Sequence, residues 1–426
     1  MDVFFVADDF TGGVDVLLQA ARCGEPATMF LSEESFLAAD ASELRTCTGV
    51  ATTFRRSAPE EVSDSLRRIL DHALTQEPRV VQYKICSTAD SSPTRGSIRP
   101  PFAQFLERGA ERIALWAAQP GLRRFTAFAH HFANDRGTVY RLDRQPTMAN
   151  HPSTPMRESD LRLHFAEQIG EAVGSITLED LRQQERLSLA WEREAAAGHR
   201  LVVLDAVHPD DLTTHGTFLA GEAPAYVIGS GGATLGLGAG LGWREDPAHQ
   251  VSTQAASGPV LVVAGSCSEL TAAQIARVEE RSDWSVLAWD PAAGAPETVA
   301  TEANQLLASG QHVLVHSGGA SPARVEASAG LGTLVPTGLA HIVSHNLGQF
   351  ARLVVAGGDT SGDVLTLLGA TKLTTVAVLD RDTCLCLVDG IGGSTQEVVL
   401  KGGQIGSVDF FVHAALGEES NGNGDR

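Results

Sequence analysis

The amino-acid sequence predicts an α/β protein of two domains, each built on a largely parallel sheet flanked by helices. Three observations lead there. The chain has 426 residues, more than one ordinary hydrophobic core accommodates. Short β-branched apolar runs alternate with helical stretches, the pattern of parallel strands joined by crossover helices. A polar segment at 243–258, WREDPAHQVSTQAASG, interrupts that alternation and reads as a linker between two such series. The expected boundaries are a first domain at 1–243, a linker at 244–257, a second domain at 258–415 and a disordered tail at 416–426.

In the first series the apolar runs at 3–7, 27–31, 48–52, 80–85, 201–205 and 225–228 predict strands, and 11–22, 59–75, 158–172 and 181–197 predict helices. The second series has strands at 260–264, 286–289, 313–316, 353–356, 385–388 and 398–401, with helices starting at Thr271, Pro296, Ala340 and Ser361. The stretch 109–150 has no clean period and is broken by Pro120, Gly121, Arg123 and Arg124. A segment this long without regular structure indicates a functional loop or concealed elements.

Composition narrows the function. Hydrophobic residues make up 43% and charged residues 20%, as in a soluble globular protein. The net charge of −20 disfavours non-specific nucleic-acid binding, while local Lys and Arg still permit an anionic substrate. No apolar run is long enough to span a bilayer, and MDVFFVADDF lacks the basic start and cleavage site of a signal peptide. The six cysteines include no Cys-x-x-Cys pair, so no dedicated metal site is expected and the thiols read as reduced ones of a cytoplasmic protein.

The chemistry gathers at strand ends, which face the ligand crevice in open α/β sheets. The first strand runs into ADDFTGG, placing Asp8 and Asp9 there. A single carboxylate would serve as a helix cap; two could bind sugar hydroxyls and accept a proton from an attacking hydroxyl. The segment YKICSTADSSP (83–93) offers Lys84 for a carboxylate, with Ser87, Thr88, Asp90 and Ser91 as polar contacts. Arg55 and Arg56 follow the third strand, and arginine suits bidentate carboxylate binding. TMANHPSTPM (147–156) holds His151 in a proline-stiffened loop. GSGGATLGLG (229–238) lacks the spacing of a dinucleotide fingerprint.

In the second domain two glycine-framed segments, VVAGGDTSG (354–362) and LKGGQIGSVDFF (400–411), each continue an apolar run. Such turns wrap anions with unblocked backbone N–H groups, and a helix starting there adds its dipole. Asp359, Thr360, Ser361 and Lys401 supply groups that nucleotide phosphates or their Mg²⁺ need. The chain contains no Gly-Lys pair, which excludes Walker-type NTPases, and neither His-Arg-Asp nor Asp-Phe-Gly, which excludes protein kinases.

ADDFTGGVD, KICSTADSSP, the HPSTPM loop, AGSCSELTAAQ, GGDTSG and LKGGQIGSVDFF occur in this order, and together they resemble the four-carbon acid sugar kinases over nearly the whole chain. The resemblance implies an N-terminal domain for the sugar acid, a C-terminal domain for ATP and an active site in the interdomain cleft. It implies that Asp8, Asp9, Arg55, Lys84, Ser87 and Asp90 line the sugar-acid site. Ser266, Ser268, Gly358, Asp359, Thr360, Gly403 and Gln404 would line the nucleotide site.

The Lys-x-Cys-Ser-Thr-x-Asp-Ser form of the second motif is similar to the 3-oxo-tetronate kinase branch, with Ala89 in place of the usual aromatic. The stretch TVYRLDRQPTMANHPSTPM resembles instead a side branch acting on 3-oxo-isoapionate, a branched five-carbon acid. The expected function is therefore an ATP- and Mg²⁺-dependent, cytoplasmic kinase that phosphorylates a primary hydroxyl of a small oxo-sugar acid. Asp8 or Asp9 is its base, and Arg55 and Lys84 anchor the carboxylate. With 3-oxo-isoapionate as the leading acceptor, a 3-oxo-tetronate 4-kinase, a threonate or erythronate kinase, an NAD-dependent dehydrogenase and a non-catalytic sugar-acid sensor are the alternatives. The sequence leaves room for a homodimer.

Overall fold

The computed structural model describes residues 1–426 except 152, 183, 223, 245–253, 266–267, 293, 319–330, 381–382, 404 and 418–426; for 184, 185, 331, 332, 359 and 380 it describes only the backbone. The chain divides into two compact units, Met1–Glu245 and Asp246–Arg426.

In the first unit the strands are β1 (Val3–Ala7), β2 (Ala27–Phe30), β3 (Cys47–Ala51), β4 (Val80–Lys84), β5 (Ile113–Trp116), β9 (Gly174–Ile176), β10 (Leu201–Leu204) and β11 (Ala225–Gly229). They form an all-parallel sheet in the order β2-β3-β1-β4-β11-β5-β10-β9. Every residue of β1 and β4 is buried, as sheets covered on both faces require. One polar residue inside, Gln82, is satisfied by the carbonyls of Gly229 and Ser230 and by the Thr234 hydroxyl. Phe4, Leu66, Ile69, Tyr83, Phe105, Leu115 and Ile228 belong to the main core.

From β1 the chain proceeds to β2 and β3 on one side, while β4 lies on the other. The carboxyl ends of β1 and β4 therefore flank a topological switch point, where crossovers diverge and leave a crevice. Ala7 pairs in register with both Ala51 and Lys84, so the loops carrying Asp8, Arg55 and Ile85 leave the sheet at one level.

The stretch 109–150 conceals structure. It contributes the interior strand β5 and a separate antiparallel sheet of β6 (Arg124–Ala127), β7 (His130–Asp135) and β8 (Thr138–Arg141). The turn between β6 and β7 puts Phe128 and Ala129 at φ 51° and 63°. It is held by the Asp205 carboxylate, which accepts from the backbone N–H groups of Phe128, Ala129 and Leu178. Further helices escape the sequence pattern, among them Glu33–Leu37, Arg99–Glu107, Pro146–Ala149, Pro209–Leu219, the glycine-rich Gly231–Gly240, and Phe410–Leu416 in the second unit. The helix expected at 158–172 is shorter, Leu161–Ile169, capped by Asp160 and stopped by Gly170 at φ 77°.

The second unit holds β12 (Val260–Ala264), β13 (Trp284–Ala288), β14 (His312–His316), β15 (Arg352–Ala356), β16 (Lys372–Asp380), β17 (Thr383–Ile391) and β18 (Ser394–Lys401). Their order is β13-β14-β12-β15-β18-β17-β16, parallel as far as β18 and antiparallel beyond it. Here too the direction of connection reverses, between β12 and β15, so the loops after these strands flank a second switch point. Ala264, Ala356 and Lys401 end their strands in register. The helix expected from Ala340 spans Leu331–His345 and tolerates Pro336 within it. Most of the expected linker, 245–253, and of the expected tail, 418–426, lies outside the described residues; Leu416 closes the last helix.

Candidate active site

At the first switch point the two adjacent aspartates have different surroundings. Asp9 is the N-cap of the helix Phe10–Arg22, its Oδ1 accepting from the Gly12 backbone N–H. Its other oxygen meets Arg55 Nη1 at 2.6 Å. Asp8, by contrast, is buried, 4% exposed. Among the described residues no donor reaches its Oδ1. Burial raises the Asp8 carboxyl to about pH 7, with Arg55 pulling back and Asp9 adding to the rise.

Arg55 bridges two carboxylates, Asp9 and, through Nη2 at 2.6 Å, Asp90. Burial opposes its charge, and Cys86, Asp8, Asp90 and Asp9 together outweigh that and hold the guanidinium above its usual range. Burial acts to raise the Asp90 carboxyl as well, but Arg55 and the Thr88 hydroxyl, 2.5 Å from its Oδ1, hold it below the ordinary carboxylate range. Thr154 Oγ1 reaches the other Asp90 oxygen at 3.4 Å and also bonds His151 Nδ1 at 2.9 Å. His151 thereby joins the cluster through Thr154.

Lys84 ends β4 almost wholly buried. Its ammonium donates to the Ile85 carbonyl at 3.0 Å and pairs with Asp15 Oδ2 at 3.4 Å. Asp15, one helix turn beyond the Asp8-Asp9 pair, also accepts from Gln19 at 2.8 Å and Gln119 at 3.1 Å. The loop after β4 turns through Ala89 at φ 52°. It is steadied by His131, whose Nε2 donates to the Ser87 carbonyl at 2.8 Å while Nδ1 accepts from Thr126. Burial lowers His131 to about pH 4, so it is neutral and keeps that tautomer.

The second switch point is built mostly from backbone. Gly357 caps the helix Gly358–Leu367 at φ 137°, ψ 129°, a conformation reserved for glycine. This turns the chain from β15 straight into a helix N-terminus aimed at an anion. Gly265 after β12 approaches equally closely: a Cβ there would stand 2.8 Å from Thr360 Cγ2. Lys401 ends β18 buried, and its Nζ donates to Thr271 Oγ1 at 3.1 Å and to the Gly402 carbonyl at 3.0 Å. No carboxylate among the described residues pairs with it, and burial lowers it to about pH 8. Ser268 caps the helix Glu269–Glu279, and its hydroxyl and that of Thr271 both donate to the Gly403 carbonyl. Gln274 donates to the carbonyls of Ile405 and Ser407, pinning the rest of the loop.

A buried ammonium with no carboxylate partner among the described residues, beside a glycine turn and a helix N-terminus, suits a nucleotide polyphosphate. No group of three His, Cys, Asp or Glu side chains among the described residues could cage a metal.

Two family models cover the chain: a sugar-binding N-terminal domain over residues 3–237 and a nucleotide-binding C-terminal domain over residues 261–411. The chain belongs to the four-carbon acid sugar kinase family. It is 32% identical to the 3-oxo-isoapionate kinase of Paraburkholderia graminis, with 96% of this chain and 92% of that protein aligned. It is 30% identical to the 3-oxo-tetronate kinase of Pseudomonas savastanoi pv. phaseolicola, over 96% of this chain and 95% of the relative. Among solved structures, a Salmonella typhimurium LT2 protein described as a tRNA synthase superimposes with a TM-score of 0.84 at 22% identity, covering 97% of this chain and 98% of that one. A Haemophilus influenzae protein does so at 0.77 and 20% identity, covering 96% and 98%. These two likenesses speak for the fold alone.

For this family member, the residues predicted for the sugar-acid site fall into one cluster: Asp9, Arg55 and Asp90 are joined by ion pairs, and Asp8 acts electrostatically on Arg55. Lys84 sits in register beside them, and His151 joins through Thr154. Ser87 is tied in by its carbonyl. In the nucleotide half, Ser268, Gly358, Thr360, Lys401 and Gly403 stand at the loops just described, whereas Ser266, Gln404 and the Asp359 side chain lie outside the described residues. The sequence reading assigned no role to Asp15, Thr271 or Gln274. Each lies within a recognised motif, which was the available signal. Arg56 is exposed, away from the cluster. Among the described residues no helix is long and apolar enough to cross a membrane.

Proposed function

We propose that the protein is an ATP-dependent kinase that phosphorylates a primary hydroxyl of a small 3-oxo sugar acid, with 3-oxo-isoapionate as the favoured acceptor. The family supports the reaction class. The observation that carries the chemistry is Asp8: a buried carboxyl at a strand end, with an oxygen free to accept and a proton affinity matched to neutral pH. In this reading Asp8 takes the acceptor's hydroxyl proton. The alkoxide oxygen forms the new bond to the γ-phosphorus as the bond to the ADP oxygen breaks. Asp9 orients Arg55 and caps its helix. Lys401, with the N–H groups of the Gly357–Gly358 turn, neutralises the phosphates. Bound Mg²⁺ would add charge neutralisation on the phosphate oxygens.

The acceptor preference rests on the 140–156 loop and on the similarity to the 3-oxo-isoapionate kinase. Within the loop Arg141 and Arg144 pair with Asp143, which leaves His151 and Thr154 as the part linked to Asp90. The similarity to 3-oxo-tetronate kinases keeps the linear acid as the second reading. ADP formation should be measured with both acids side by side. The branched acid should show the higher kcat/KM by about 5-fold or more, the cost of leaving one buried polar group unpaired. Equal turnover or a preference for the linear acid would remove the acceptor assignment, and the kinase assignment would stand.

A further inference from the structure

The two cations expected to anchor the acid's carboxylate already have partners. Arg55 spends both terminal nitrogens on Asp9 and Asp90, and Lys84 is paired with Asp15. A third cation stands beside them. Arg124 opens β6, and its backbone exchanges both hydrogen bonds with Gln119, at 3.0 and 3.2 Å. The Gln119 side chain donates to Asp15, the partner of Lys84. On its other flank His131, within electrostatic reach of Arg124, grips the Ser87 carbonyl. Cys86, the next residue back in the Lys84–Asp90 loop, acts electrostatically on both Arg124 and Arg55.

Arg124 has no carboxylate ion pair among the described residues. Nη1 donates to the carbonyls of Leu122 and Asn134 at 3.3 and 3.1 Å. Nε is buried without an acceptor. The donor edge formed by Nε and Nη2 therefore has no acceptor among the described residues, and that edge matches the two oxygens of a carboxylate. Asp135 and Cys86 act on the half-buried Arg124 guanidinium electrostatically without forming an ion pair among the described residues, and a bound anion would relieve its remaining desolvation cost. Burial accordingly holds Arg124 below its ordinary proton affinity.

We infer that Arg124 is the residue that binds the carboxylate of the acceptor acid, with Arg55 and Lys84 serving to hold Asp8, Asp9 and the Lys84–Asp90 loop in place. The inference rests on the sugar-acid kinase reading and adds the group that makes the site select acids. The test compares wild type, Arg124→Lys and Arg124→Gln on the 3-oxo acid and on its neutral carboxamide, with ATP saturating. Arg124→Gln should raise the KM for the acid about 10- to 100-fold, the worth of a charge-assisted pair. It should leave the KM for the carboxamide and for ATP within about 3-fold of wild type, since those contacts do not involve the charge. Arg124→Lys should fall between the two and shows that the site still folds. An acid-to-amide preference that survives in Arg124→Gln would overturn the assignment of Arg124. Wild-type protein that forms no ADP with any 3-oxo sugar acid would instead overturn the kinase reading, and this inference with it.

Discussion

The two switch points solve the problem of holding an anionic substrate in opposite ways. In the first unit, charge is matched by charge: Arg55 between Asp9 and Asp90, Lys84 against Asp15. In the second unit the loop geometry comes from glycines, and the buried Lys401 has no acid partner among the described residues. The first site holds its charges as ion pairs. In the proposed function a nucleotide polyphosphate would supply the charge that Lys401 lacks at the second. Truncating a member of the ion-pair network should therefore cost stability at the first site, and removing Lys401 should cost ligand affinity at the second.

Asp8 should give the largest effect. Asp8→Asn should lower kcat by about 10²-fold or more, as for loss of a general base, with ATP affinity unchanged. It should also stabilise the fold. The folded-state affinity of Asp8 is raised, so its favourable contribution is complete below its unfolded value and is lost as pH rises through about 7. Above that pH the variant should unfold later than wild type, by about 2–4 kcal/mol from the size of the rise. Thermal melts at pH 5 and pH 8.5 check this; a gain that is equal at both would contradict it.

Next comes the paired contrast. Arg55→Met strands the buried Asp90 carboxylate and should cost about 3–5 kcal/mol in urea unfolding. Lys401→Met strands no acid among the described residues and should leave the melting temperature nearly unchanged, while the KM for ATP rises about 10- to 100-fold through loss of a charged contact. If Lys401→Met destabilises as much as Arg55→Met, the two sites are not built on different principles.

Smaller effects sharpen the picture. Gly357→Ala forces a side chain onto φ 137° and should cost about 1–3 kcal/mol, with nucleotide binding weakened before sugar-acid binding; calorimetry with each ligand separates them. The pH profile of kcat/KM should be bell-shaped. Its rise follows deprotonation of Asp8 near 7, and its fall follows loss of the Lys401 proton from about 8 upward, a limit that bound phosphate moves higher. Lys401→Met should remove the alkaline limb and keep the acid one.

The sequence showed the nucleotide loops more clearly than the acid-binding network, for a physical reason. A glycine turn after an apolar strand is a local feature, visible in GGDTSG and KGGQIG. The contrast between Asp8 and Asp9 is not local: only the packed sheet shows that Asp8 is buried and Asp9 partly exposed. Asp15, in ADDFTGGVD, acquires its role from Lys84 of another strand. The interior strand β5 has only Ile113–Trp116 to announce it, and β6 to β8 are short and partly exposed. Their first turn uses Phe128 and Ala129 at positive φ instead of a glycine signal. Arg124 lay in this stretch and read as a break in pattern. The helix Leu331–His345 was shortened in the reading because Pro336 and Gly338 look like its end.

The most direct test of the account is ADP formation on mixing wild-type protein, ATP, Mg²⁺ and either 3-oxo-isoapionate or 3-oxo-tetronate, followed by identification of the product by mass. The account predicts ADP and a singly phosphorylated acid in equal amounts, dependent on the acid and formed about 10²-fold or more slowly in Asp8→Asn. No acid-dependent ADP with either compound, or undiminished turnover in Asp8→Asn, would contradict it.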